Sequence, residues 1–235
     1  MKPLIVANWK CNPSTFKEAE LLFRKVKFGI KNIKNLEIVI CPPFLYFPYL
    51  LKKSLKETIS FGAQDCFWGE GAFTGEISPQ MLKNLGVKYV ILGHSERRRY
   101  LKETDEIINK KIKMALKTGL RVILCIEKVS QVKEDLKGIK NFKLLNIAYE
   151  PVFAIGTGKP CPILKAKKMK NKILKNLKKK IPILYGGSVD SKLAKDYLQK
   201  GGFQGLLVGG ASLKPKEFLK IIKKLTSIKN SDILN

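Results

Sequence analysis

The chain has 235 residues, 45% apolar and 28% charged, with a formal charge of +27 from 46 Lys and Arg against 19 Asp and Glu. That is enough apolar side chain for one large core, and α/β barrels reach this length as single domains, so one domain over 1–235 is expected. No run of about 18 apolar residues provides a membrane span, Lys2-Pro3 leads into strand-like sequence with no secretory leader, and five cysteines (Cys11, Cys41, Cys66, Cys125, Cys161) without a CxxC pair argue against a disulfide framework or zinc site. A cytoplasmic protein with free thiols is expected.

The first strand is expected at Leu4–Asn8, an apolar run closing on Asn8-Trp9-Lys10. Helical spacing follows in Phe16, Ala19, Leu22, Phe23 and Val26. Next come a strand at Glu37–Cys41 closed by Pro42-Pro43, a short helix over 46–55 and a third strand at Ile59–Ala63. The loop 64–79 is long and glycine-rich, and loops of that length usually carry a function. Strand four is expected at Tyr89–Leu92, followed by Gly93-His94-Ser95-Glu96-Arg97-Arg98 and a helix marked by Ile107, Ile108, Ile112, Ala115 and Leu116. After strand five at 122–125 only a short helix fits, over 130–136, with Ser130 as candidate N-cap and Gly138 as the stop. Strand six, 144–149, runs into Glu150-Pro151 and a small-residue loop through Ala154, Gly156 and Gly158. Pro162 opens an amphipathic helix through Ile163, Ala166, Met169, Ile173, Leu174 and Leu177. Strand seven, 181–185, ends in Gly186-Gly187-Ser188, and after a helix over 193–198 the eighth strand, Gly205–Val208, ends in Gly209-Gly210. A last helix spans 218–225.

Eight short apolar strands alternating with helices call for a closed eight-stranded parallel (β/α)8 barrel, because each right-handed crossover returns to a neighbouring parallel strand. Every polar motif lies just after a strand, the face on which such barrels build active sites, and the glycine loops after strands seven and eight suit a phosphate. The positive charge raises nucleic-acid binding as an alternative, but only five of the 46 basic residues are Arg (24, 97, 98, 99, 121), and the lysines spread over every helix face. No dedicated nucleic-acid partner is expected; the charge reads as solvated surface, with a secondary role in drawing in an anionic substrate.

The segment 148–159, AYEPVFAIGTGK, puts one carboxylate, Glu150, after an apolar run and before a loop of small residues. Nucleotide-binding readings fail on spacing: a P-loop ending at Gly158-Lys159 needs Gly where Phe153 stands and Ser or Thr where Pro160 stands. The segment closely resembles the catalytic base and flexible lid of the triosephosphate isomerase family. The resemblance extends to Asn8-Trp9-Lys10, to Gly93-His94-Ser95-Glu96-Arg97-Arg98, and to the two glycine loops, in the same order, from Leu4 to about Leu225.

The resemblance implies a TIM barrel that interconverts dihydroxyacetone phosphate and glyceraldehyde 3-phosphate through an enediolate, in glycolysis and gluconeogenesis, with no cofactor or metal. By matched motif, Glu150 is the base, Lys10 the fixed cation, and Asn8 its neighbour. His94, the only histidine, is the electrophile. In this family, itself a standard worked case of pKa tuning, the imidazole is kept neutral by a helix N-terminus so that it donates to the substrate carbonyl. Gly156, Ser188, Gly209 and Gly210 are the implied phosphate binders. Ser95 and Glu96 are supporting residues, with helix capping or ion pairing an equal alternative for Glu96. The loop 64–79 resembles an arm inserted into a partner subunit, which implies a homodimer with Thr74 reaching the partner's Lys10; a plain surface loop with Ser78-Pro79 opening a helix is the alternative. Three departures stand out. Cys125-Ile126-Glu127-Lys128 replaces the usual Cys-Ile-Gly-Glu in a stretch about a dozen residues shorter than usual; Phe153 replaces Trp and Pro160-Cys161 replaces Thr-Ala at the lid; and helices five and six are both expected to be shortened.

Overall fold

The computed structural model describes residues 2–54, 59–154, 158–177 and 179–228. Eight parallel strands close into a barrel in chain order: β1 Leu4–Asn8, β2 Glu37–Cys41, β3 Ile59–Ala63, β4 Tyr89–Leu92, β5 Arg121–Ile126, β6 Leu145–Tyr149, β7 Ile183–Tyr185 and β8 Gly205–Val208. Closure comes from β8 pairing with β1, Leu4 opposite Gly205 and Ala7 opposite Val208. Glycine is needed at that seam, since a Cβ on Gly205 would stand 2.0 Å from the Leu4 carbonyl oxygen.

Because strand side chains alternate in direction, each strand feeds two cores. Leu4, Val6, Val39, Cys41, Tyr89, Ile91, Ile123, Cys125, Ala148, Leu184 and Leu207 fill the barrel interior. Their neighbours, such as Ile5, Ala7, Ile38, Ile40, Val90 and Leu124, face outward and meet the buried stripes of the helices. These helices are α1 Phe16–Ile30, α2 Phe47–Ser54, α3 Pro79–Asn84, α4 Ser95–Tyr100, α5 Asp105–Lys117, α6 Val129–Asp135, α7 Ile163–Leu177, α8 Ala194–Gln199 and α9 Pro215–Thr226. Thr15 caps α1 with a reciprocal Thr15–Glu18 capping box, and Ser78 caps α3, which Pro79 opens.

The expected elements are present, with adjustments. The helix after strand five is short, as expected: α6 has seven residues. Ser130 is not its N-cap, however. Lys128 holds that place, and Gln131 Oε1 accepts from the backbone N–H groups of Glu127 and Lys128 at 2.8 and 3.2 Å. Gly138 ends the turn with φ 75°. The helix after strand six, α7, runs 15 residues, as long as α1, because neither Gly nor Pro interrupts Ile163–Leu177 and its apolar spacing continues throughout. Strand seven begins two residues later than expected, beyond Pro182, which has no N–H for a ladder.

The lean α6 is held by polar contacts that reach its C-terminal end. Arg98 pairs with the fully buried Asp135 at 2.5 Å and with Asp105, and donates through Nε to the Gly93 carbonyl at 2.8 Å. Asn109 Nδ2 donates to the carbonyls of Asp135 and Lys137 at 2.8 and 3.0 Å. Beside it, buried Lys111 bridges Asp65 and Glu103, which Arg97 also contacts. Burial pushes the Asp65 carboxyl up to about 6, against the pull of Lys111 and Arg97.

Candidate active site

The two-residue strand period delivers the polar groups. In β1 the interior positions Leu4 and Val6 are followed by Asn8; in β6 Ala148 is followed by Glu150; in β7 and β8 Leu184 and Leu207 are followed by Gly186 and Gly209. Asn8, Lys10, His94, Glu150, Gly158, Ser188, Gly209 and Gly210 all line one cavity of about 390 Å³ at the C-terminal mouth of the barrel.

Lys10 sits in the left-handed region, φ 55°, which costs a non-glycine residue roughly 1–2 kcal/mol. Two side chains hold it there. Asn8 Oδ1 accepts the Lys10 N–H at 3.0 Å, and Gln64 Nε2 donates to the Lys10 carbonyl at 2.8 Å and to that of Cys41 at 2.9 Å. Strain supported on both sides fixes where the ammonium leaves the backbone. That ammonium pairs with Glu96, so for Glu96 the ion-pair alternative describes the contact seen.

His94 is itself the N-cap of α4: its Nδ1 accepts the Glu96 backbone N–H at 3.3 Å. This bond uses the Nδ1 lone pair and leaves the ring proton on Nε2, facing the cavity. Nε2 lies 3.1 Å from Glu150 Oε1. The other carboxylate oxygen, Oε2, accepts the Ser95 N–H at 2.9 Å. Glu150 is 1% exposed, and its N–H donates to the Ile126 carbonyl at the end of β5. Burial pushes the neighbouring Cys125 thiol well up, and Glu150 adds to the shift; the thiol therefore stays protonated. Gly186 makes room for the acid: a Cβ there would meet Glu150 Cγ at 3.1 Å and the Tyr149 carbonyl oxygen at 3.3 Å.

The loops after β7 and β8 complete the cavity lining. The Ser188 N–H donates to the Ala154 carbonyl at 3.1 Å, tying the loop after β7 to the short 3-10 helix Val152–Ala154 that follows Glu150. Gly209 lies against Lys10, whose Cε would be 3.2 Å from a Cβ placed there, and Gly210 faces open space. Buried Ser212 donates to the Gly209 carbonyl at 2.7 Å and to that of Asn8 at 3.4 Å, which joins the eighth loop to the first. Gly156 lies outside the described residues. In chemical terms the cavity brings a buried carboxylate, an imidazole N–H and an ammonium together with the glycine loops after β7 and β8 and the Ser188 hydroxyl. Among the described residues no cluster of three or more His, Cys, Asp or Glu is gathered for a metal.

Gln64 and Ser212 carry no motif of their own and were not singled out from sequence. The only signal for Gln64 is its position directly after β3. The arm stands out from the barrel, with residues 71–76 exposed, Thr74 among them. Its hairpin is pinned by the Phe67 N–H to the Ile77 carbonyl at 2.9 Å and by Phe67 against Phe73, ring centroids 4.6 Å apart.

Residues 3–225 match the family model described as triosephosphate isomerase. Curated relatives with that name include one from Dictyoglomus thermophilum, 44% identical over 94% of this chain and 99% of that protein, and one from Thermoanaerobacter pseudethanolicus, 41% identical over 94% and 98%. A third, from Dehalococcoides mccartyi, is 42% identical over 98% and 99%. The first alignment runs to 248 positions, more than the 235 residues here, so this chain carries deletions relative to that protein.

Proposed function

This chain belongs to the triosephosphate isomerase family, and from that premise we propose that Glu150, His94 and Lys10 carry the interconversion of dihydroxyacetone phosphate and D-glyceraldehyde 3-phosphate. It is an isomerase acting on triose phosphates, in the direction of glycolysis or of gluconeogenesis. The observation that supports this residue assignment is the meeting of His94 Nε2 with Glu150 Oε1, 3.1 Å apart, in the cavity that Lys10 and the glycine loops also line.

With the phosphate held by the Ser188 hydroxyl, the amides of Gly209 and Gly210, and Gly156 of the lid, the carbonyl of the substrate takes the place of Glu150 as acceptor from His94 Nε2–H. The carboxylate gives up the Ser95 N–H and takes the C–H proton beside the carbonyl. Negative charge then grows on the carbonyl oxygen, where the imidazole N–H and the Lys10 ammonium are already placed, so little reorganisation accompanies the step. Glu150 returns the proton to the neighbouring carbon; the former carbonyl oxygen takes a proton from His94 Nε2, and the adjacent hydroxyl gives its own proton back to that nitrogen as its oxygen becomes the new carbonyl. Glu96 holds Lys10, and Asn8 and Gln64 hold its backbone.

A second copy of the chain completes the proposal: the arm 64–79 inserts toward a partner, bringing Thr74 near the partner's Lys10, in a cytoplasmic homodimer. No helix among the described residues is long and apolar enough to cross a membrane. Sedimentation showing a stable monomer at assay concentrations counts against the dimer. For the chemistry, a coupled assay with purified protein and its Glu150→Ala variant is decisive. Loss of the base lowers kcat by about 10²–10⁴-fold or more; equal turnover by the variant removes the assignment.

A further inference from the structure

Three residues beyond Gly158, which lines the cavity, the backbone of Cys161 is held at both its polar groups by tyrosines. Its N–H donates to Tyr185 Oη at 3.0 Å, and its carbonyl accepts from Tyr197 Oη at 2.5 Å. The two rings stack, centroids 3.8 Å apart and 12° from parallel, with Phe203 edge-on to both, and all three are fully buried. Tyr185 ends β7 and leads directly into Gly186, Gly187 and Ser188 at the cavity wall. Gly187 is what admits its hydroxyl, for a Cβ there would stand 2.3 Å from Tyr185 Oη. Burial pushes the Tyr197 phenol up to about 12, so it keeps the proton it donates.

A phenylalanine would fill nearly the same volume at 197. The hydroxyl adds a cross-link from α8 to the chain returning from the cavity, 36 residues away in sequence. We propose that Tyr197 is a positioning residue for the phosphate end of the cavity: by donating to the Cys161 carbonyl and stacking on Tyr185, it fixes the Gly158 wall against the Gly186–Ser188 wall. Tyr197 does not line the cavity and acts only through these neighbours. The inference rests on the proposed function for its substrate, whereas phosphate binding can be read without turnover.

The test compares Tyr197→Phe, which keeps the stack and removes the hydroxyl, with Tyr197→Leu, which removes both. Asn109→Ala serves as a control: it loses buried side-chain hydrogen bonds to the Asp135 and Lys137 carbonyls, away from the cavity. For each protein, KM and kcat are measured, along with the dissociation constant of inorganic phosphate by titration calorimetry. Tyr197→Phe is expected to raise KM and the phosphate constant together by about 3–10-fold, the scale of one buried hydrogen bond, with kcat within about twofold. Tyr197→Leu raises both further, and Asn109→Ala lowers Tm without moving either. A Tyr197→Phe enzyme that loses Tm like the control but keeps both constants overturns the inference and leaves the isomerase reading intact. Wild-type protein that binds phosphate but turns over no triose phosphate removes the isomerase reading, and the phosphate constants alone then decide the role of Tyr197. Wild type that binds no phosphate overturns both.

Discussion

Replacing Arg98 with methionine tests how a barrel with a seven-residue sixth helix stays closed. The guanidinium, 10% exposed, pairs with Asp135, which is 0% exposed, and with the partly exposed Asp105. It also donates to the Gly93 carbonyl at 2.8 Å and to that of Cys125 at 3.4 Å. Methionine fills much of the space and restores none of these contacts. The carboxylate of Asp135 is left buried without its cation, a loss of about 3–5 kcal/mol for a broken buried pair. Against a total stability of about 5–15 kcal/mol, that is a large fraction; for a chain of this size it corresponds to a fall in Tm of roughly 6–20 °C. Urea unfolding at one fixed protomer concentration measures it, since dimerisation would otherwise enter the midpoint. Adding Asp135→Leu to Arg98→Met removes the orphaned charge and is expected to recover most of the loss. An Arg98→Met midpoint within about 1 kcal/mol of wild type, or a double variant no better than the single, refutes the reasoning.

Gly186→Ala places a Cβ 3.1 Å from Glu150 Cγ and 3.3 Å from the Tyr149 carbonyl oxygen; displacing the base lowers kcat by about tenfold or more with little change in fold, as circular dichroism will show. Gln64→Ala removes the amide that donates to the carbonyl of the left-handed Lys10 and ties it to that of Cys41, so kcat/KM falls by about tenfold, and an unchanged value means that Asn8 alone suffices. With a formal charge of +27, kcat/KM for the anionic substrate is expected to fall as salt rises at constant pH; a flat profile between low and moderate salt removes the steering role of the lysines.

The strands were legible because their signal is local. Leu4–Asn8, Glu37–Cys41, Ile59–Ala63, Tyr89–Leu92 and Gly205–Val208 have the bounds expected, each an apolar run stopped by Pro, Gly or a polar residue. The same alternation that marks a strand also points Asn8 and Glu150 into the barrel mouth. Partners distant in sequence left no such trace. Arg98 finds Asp135 37 residues away, Gln64 finds Lys10 across 54, and Tyr197 finds Cys161 across 36. Each of these is decided by how neighbouring strands and helices stack, which no local pattern encodes. The length of α7 was legible for the same local reason as the strands, since its unbroken apolar spacing runs from Ile163 to Leu177.

The most direct test of proton transfer at Glu150 follows glyceraldehyde 3-phosphate through the enzyme in D2O by proton NMR. A carboxylate that takes the proton from one carbon and returns one to the next exchanges part of it with solvent, so dihydroxyacetone phosphate is expected to form with deuterium on C1 in a measurable fraction of molecules. Glu150→Ala should show neither fast conversion nor rapid labelling. Product formed by wild type with no deuterium at all, or labelling that continues undiminished in the variant, would contradict the account.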